Sequence, residues 1–166
     1  MIIIYKTISK GNYLMLLPFL IFISLFLSSC SNQTSASDFP DCFVGTYINQ
    51  VGDGTENIWN LYKDGNFAGH SSTEEVFNFS GQLGSWVRTG NSEAEIVFLD
   101  FSFDDEGVKS NIARVDIDIT FKGDNCEEIE GSFELRFFED DEDPLDIFSD
   151  DGEVIKDTFT GSKLLL

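Results

Sequence analysis

The 166-residue chain holds one histidine, three cysteines and only 10 lysines and arginines against 30 aspartates and glutamates. With so few bases and a formal net charge of −20, nucleic acid or anionic lipid held through charge is excluded as a partner class. The lone histidine, His70, has no cysteine or histidine at ligand spacing around it. A zinc site is therefore unsupported, and so is Ser-His-Asp or Cys-His catalysis. No segment carries a convincing long helical periodicity, and no repeat of 20 to 50 residues appears, which sets aside solenoids and propellers. The EF-hand is absent too, since no twelve-residue window has glycine sixth with acids first, third and twelfth.

What the chain does have is strand periodicity, clearest from Ile112 to Phe138. Val115, Ile117, Ile119 and Phe121 alternate with polar residues; after Asp124-Asn125-Cys126-Glu127-Glu128, so do Ile129, Phe133, Leu135 and Phe137. Two such runs form an antiparallel hairpin with one dry face. Its polar face suggests a register with Lys122 opposite Glu130, Asp116 opposite Arg136 and Thr120 opposite Ser132. Further strands are expected at Phe43–Gln50, Ile58–Lys63, Asn66–Ser71, Ser85–Thr89, Ala94–Phe103 and Glu153–Ser162, with a helical turn in Thr73–Asn78. Asp64-Gly65 is the strongest two-residue hairpin signal. The middle of Ala94–Phe103 is apolar on both faces, so its outer side should be covered. Eight short strands with regular turns predict an all-β fold, an eight-stranded antiparallel up-and-down barrel, with a two-sheet β-sandwich as the alternative.

Residues 1–29 carry Lys6 and Lys10 and then an apolar run from Tyr13 through Leu27, which reads as a secretory signal. Its end, Leu27-Ser28-Ser29-Cys30, resembles the lipobox of bacterial lipoproteins. That resemblance implies that Cys30 receives a diacylglycerol and acyl (palmitate) chains and becomes the first residue of a membrane-anchored, extracytoplasmic protein. Ser31 after it is compatible with the outer membrane in a Gram-negative cell. Residues 30–41 then form the lipidated cysteine and a polar tether, and residues 42–166 a single barrel domain. With Cys30 assigned to lipid, Cys42 and Cys126 are left, and in an exported protein they most simply pair.

In an up-and-down barrel successive loops alternate between ends. Cys42 and Cys126 then fall at one end, and the four long loops at the other. The long loops hold sixteen of the 30 acids, so the end away from the tether should be an acidic mouth, the usual entry for a small ligand. Within the acidic run Glu139–Asp146, Asp140, Asp141, Asp143 and Asp146 are the candidate ligands should calcium bind; otherwise the run is a solvated loop, and no other cofactor is indicated. The amphipathic residues Tyr47, Trp59, Tyr62, His70 and Trp86 are candidates for lining a ligand site, with ordinary core as the competing assignment.

Gly45-Thr46-Tyr47 on the first strand and Gly84-Ser85-Trp86 further on resemble the calycins, the group of lipocalins and avidin-like barrels. Lipocalins carry Trp where Tyr47 stands. The resemblance implies a small, mostly apolar ligand. The expected function is accordingly a membrane-anchored barrel that binds a small apolar molecule or a basic protein partner. A structural or adhesive lipoprotein without a ligand cavity is the alternative, and a cyclase or isomerase inside the barrel is a third reading; an enzyme is the less favoured class.

Overall fold

The computed structural model describes residues 41–149 and 152–165; the leader, Cys30 and the tether up to residue 40 lie outside the described residues. Eight strands close into an antiparallel barrel in chain order: β1 (Gly45–Val51), β2 (Glu56–Leu61), β3 (Asn66–Ser71), β4 (Gln82–Arg88), β5 (Glu93–Phe103), β6 (Lys109–Lys122), β7 (Glu128–Phe138) and β8 (Ile155–Lys163). A four-residue helix, α1 (Glu74–Phe77), sits between β3 and β4. Closure pairs β8 with β1, so every strand has two neighbours and no edge is left open.

The period-2 pattern explains the core. Tyr47, Trp59, Leu61, Phe67, Trp86, Ile96, Phe98, Ile117, Ile119, Phe121, Ile129 and Phe159 all point inward and are buried. Packing is densest at the end where the chain enters. There Phe43 stacks on Phe121 with ring centroids 3.9 Å apart, and Tyr47 meets Phe121 edge-on. Such aromatic pairs contribute about 0.5–1.5 kcal/mol beyond the area they bury. Cys42 and Cys126 are bonded at this end with Cα atoms 5.5 Å apart, and Lys163 Nζ donates to the Cys42 carbonyl at 2.7 Å. This end is plugged.

Two turns differ from expectation. The β2–β3 connection is the three residues Lys63-Asp64-Gly65 rather than two; Tyr62 N–H donates to Asn66 O, and Gly65 takes φ 83° to complete the turn. In the β6–β7 hairpin Lys122 stands opposite Glu128, Thr120 opposite Glu130 and Asp116 opposite Glu134, two residues from the expected register. A two-residue slip keeps every side chain on its face, so burial could not detect it. The expected ion pairs form all the same, diagonally: Lys122 Nζ lies 2.5 Å from Glu130 Oε2, and Arg136 Nη1 lies 3.5 Å from Asp116 Oδ2. Long side chains reach diagonal neighbours, so charge does not discriminate between the registers. The turn does: residues 123–127 close it with left-handed Gly123 (φ 80°) and Cys126 (φ 57°).

The acidic segment after β7 begins at the mouth, where Asp140 pairs with Lys109 at the start of β6, and then turns down the outside of the barrel. Arg114, on the outer face of β6, donates to the Pro144 carbonyl at 2.9 Å, and Ile147 joins Val97 and Lys156 in a groove on the outside of the wall. A guanidinium offered to a loop carbonyl and an apolar patch on β5 draw the segment down the outside. Part of the apolar outer side of β5 thereby acquires its cover.

Candidate functional site

At the end opposite the disulfide the barrel interior is open as a cup of about 490 Å³. It exists because the inward face of most strands changes character along its length. On β1 the inward series runs from Tyr47 to Asn49, and on β2 from Leu61 and Trp59 to Asn57. On β4 it runs from Trp86 to Gln82, on β5 from Ala94, Ile96 and Phe98 to Asp100, and on β6 from Ile117, Val115 and Ala113 to Asn111. β7 alone stays apolar, with Phe133, Leu135 and Phe137. The cup therefore has a polar wall on β2–β5 and, facing it, an apolar wall made by β7 and the deeper residues Ala113, Val115 and Ile117 of β6.

Its floor is aromatic. Trp59 lies edge-on to Phe159 at 4.9 Å and to Phe67 at 5.9 Å, while Phe67 stacks on Phe98 at 5.2 Å. Pairing brings the polar groups together above it: Trp59 stands opposite Gly69, and Gly69 opposite Gln82. The register one step beyond the Leu83–Leu99 pair sets Gln82 beside Asp100. Gly69 makes room for this. A Cβ there would lie 2.5 Å from Gln82 Oε1 and 2.9 Å from Trp59 Cδ1, so only glycine lets both side chains lean across it.

Several of these groups are buried without partners. Asn57 Nδ2 donates to Asn49 Oδ1 at 3.0 Å, but Asn49 Nδ2, Trp59 Nε1, Gln82 Oε1 and Asn111 Oδ1 have no hydrogen-bond partner among the described residues. Each such buried group costs about 1–3 kcal/mol when unpaired, so stability alone does not account for their placement. Asp100 is 7 % exposed, and burial pushes its carboxyl up to about 7, with the negative charge of Glu74 adding to the effect. Glu74, in the first turn of α1, accepts from Ser71 N–H at 2.9 Å and faces His70 Nδ1 at 3.1 Å. Among the residues lining the cup, Asp53 and Asp100 are acidic and none is Lys, Arg or His.

Of the five residues expected to line a ligand site, Trp59 does so. Tyr47 is fully buried in the plugged end, where its hydroxyl lies 3.1 Å from the Cys42 and Phe43 carbonyls and burial raises its pKa. Trp86 belongs to the same end and donates Nε1–H to Tyr62 O at 2.9 Å. Tyr62 and His70 are exposed, outside the cup. The candidate cation ligands are dispersed: Asp140 pairs with Lys109, Asp143 accepts from Leu145 N–H and Asp146 from Phe148 N–H. Asp141 is exposed beside them. Among the described residues no group of three or more His, Cys, Asp or Glu is arranged to hold a metal ion.

Fold and site together define a closed eight-stranded antiparallel barrel, plugged and disulfide-bonded at one end and open as a half-polar cup at the other. Comparison of the chain with protein-family models, with curated proteins and with solved structures finds no match.

Proposed function

We propose that the protein is a lipid-anchored, extracytoplasmic, calycin-like barrel that takes a small, partly apolar molecule into its cup. The observation that carries this is the cup itself. About 490 Å³ is the size of a small-molecule site, and apolar walls with a few convergent polar groups are the usual make-up of one. The anchor rests on Leu27-Ser28-Ser29-Cys30. Cys42 lies at the plugged end, so a tether from Cys30 turns the mouth away from the membrane, the outer membrane in a Gram-negative cell.

Mass measurement of the protein extracted from its native membrane should find a lipidated Cys30 as the first residue; an unmodified Met1 would remove the anchor. Thermal melting with a panel of small amphipathic compounds should find ligands that raise Tm. A Tm that no compound moves would favour the adhesive alternative, a basic partner meeting the exposed acidic segment at residues 139–149.

Asp100 supports one further reading. A carboxyl that titrates near neutrality in a buried position on the cup wall can move protons, so an isomerase or cyclase acting on the bound molecule is the enzyme class the cup would serve. Chemical conversion of a ligand by the wild type but not by Asp100→Asn would establish it.

A further inference from the structure

We propose that the molecule taken into the cup carries a protonated amine, which pairs with Asp100 on the polar wall of the cup, with its apolar body against Val115, Ile117, Phe133 and Leu135. The inference rests on the small-molecule reading above and names the ligand's chemistry.

Charge selects the head group. The lining holds two carboxylates and no basic side chain, so a ligand carboxylate or phosphate would enter without a counter-charge. An uncompensated buried anion is strongly unfavourable. An ammonium meets the opposite situation: Asp100 is a buried carboxyl that makes no hydrogen bond to any described residue, and Gln82 on the neighbouring strand, its Oε1 leaning over Gly69, is an unpartnered acceptor on the same wall. An ammonium has three donors and no acceptor, and here it finds a buried charge with no competing cation, on a wall that also carries an unpartnered amide oxygen. Trp59, Phe79, Phe98 and Phe133 also line the cup, and an ammonium that meets the face of such a ring gains cation–π attraction. The net charge of −20 draws cations toward the protein before they reach the mouth.

Geometry also sets the pH behaviour. Asp100 stands opposite Ala113 of β6 and, by register, Gln82 of β4, and Glu74 of α1 is the charge that acts on it; Asn111 and Asp53 line the same cup, and His70 lies beyond Glu74, exposed. No cation faces it, so the empty cup holds Asp100 largely neutral at pH 6 and largely ionised at pH 8. An alkylamine is protonated throughout that range, and its affinity should rise about tenfold across it.

The test uses the full chain and three probes that share one body: 4-phenylbutylamine, 4-phenylbutanol and 4-phenylbutyrate, titrated by calorimetry at pH 6 and pH 8. At pH 8 the amine should bind at least tenfold tighter than the alcohol, and the carboxylate more weakly than both. The alcohol's affinity should be flat with pH, and Asp100→Asn should bring the amine down to the alcohol. Should that variant fail to fold, the wild-type pH profile decides alone. Equal binding of amine and alcohol, or tightest binding of the carboxylate, overturns the amine while leaving a small-molecule cup. Absence of binding by all three, with no probe raising Tm, overturns both.

Discussion

Asp100 carries the chemistry of the cup, and its position was readable in advance. Ala94, Ile96, Phe98 and Asp100 share one face of a strand, so a carboxylate continues a run of core residues and must point inward. Asn57 in series with Trp59 and Leu61, and Gln82 in series with Trp86, carry the same signal. Choosing Tyr47, Tyr62, Trp86 and His70 by residue type found amphipathic rings but not their depth along the barrel axis, and depth decides between plug and cup. The raised Asp100 pKa also makes a stability prediction. Folded protein holds a proton that the unfolded chain releases near pH 4, so this group's contribution is fully present below that pH and is lost as pH rises through about 7. Asp100→Asn removes the dependence. Chemical denaturation should show variant and wild type converging near pH 4 and the variant more stable at pH 8, by about 1–3 kcal/mol after allowing for water in the cup. A wild type that is the more stable at pH 8 would show that Asp100 has a stabilising partner.

At the scale of elements, the β6–β7 hairpin was legible as a pair of strands but not in register. Its dry face fixes which side of each strand is buried; the alignment is set by the turn, where Gly123 and Cys126 take left-handed conformations that the alternation does not encode. The Cys42–Cys126 bond spans 84 positions, for which loop-closure entropy gives about 4–5 kcal/mol as an upper figure. Reduced protein, or Cys42→Ser with Cys126→Ser, should lose about 2–4 kcal/mol in denaturant melts. The cup lies at the far end, so its ligand affinity should hold; an equal loss of binding would mean that the ends are coupled. The path of the acidic segment was not legible, because a run of like charges does not say which carbonyl a distant arginine will take. Arg114 donates to Asp116 at 2.7 Å and to Pro144 O at 2.9 Å, with its side chain 15 % exposed. Arg114→Ala should speed amide exchange across residues 139–149 and leave binding in the cup unchanged. Unchanged exchange would mean that Ile147 alone holds the segment.

For the whole molecule, closure and end-to-end polarity follow from one pattern: inward faces apolar near the plugged end and polar near the mouth on β2 to β6, with Val51 ending β1 and β7 remaining apolar. The barrel was legible because period 2 and turn spacing are local. The cup was not, because it depends on the inward series of seven strands ending at comparable heights, which only the registers fix. Charge is the remaining global property, and it separates two ways a cation can act. With 30 acids against 10 bases, folding gathers like charge, so screening should raise Tm as ionic strength increases from about 0.01 M to 0.15 M and the Debye length shortens from about 30 Å to about 8 Å. Sodium and calcium chloride at matched ionic strength should differ little. Of the acids in the segment after β7, Asp140 is committed to Lys109 and Asp143 and Asp146 to backbone amides, and among the described residues no three are gathered together. A calcium-specific rise in Tm that saturates at micromolar concentration would contradict this. Asp140→Asn and Asp143→Asn would then show whether that segment rearranges around the ion.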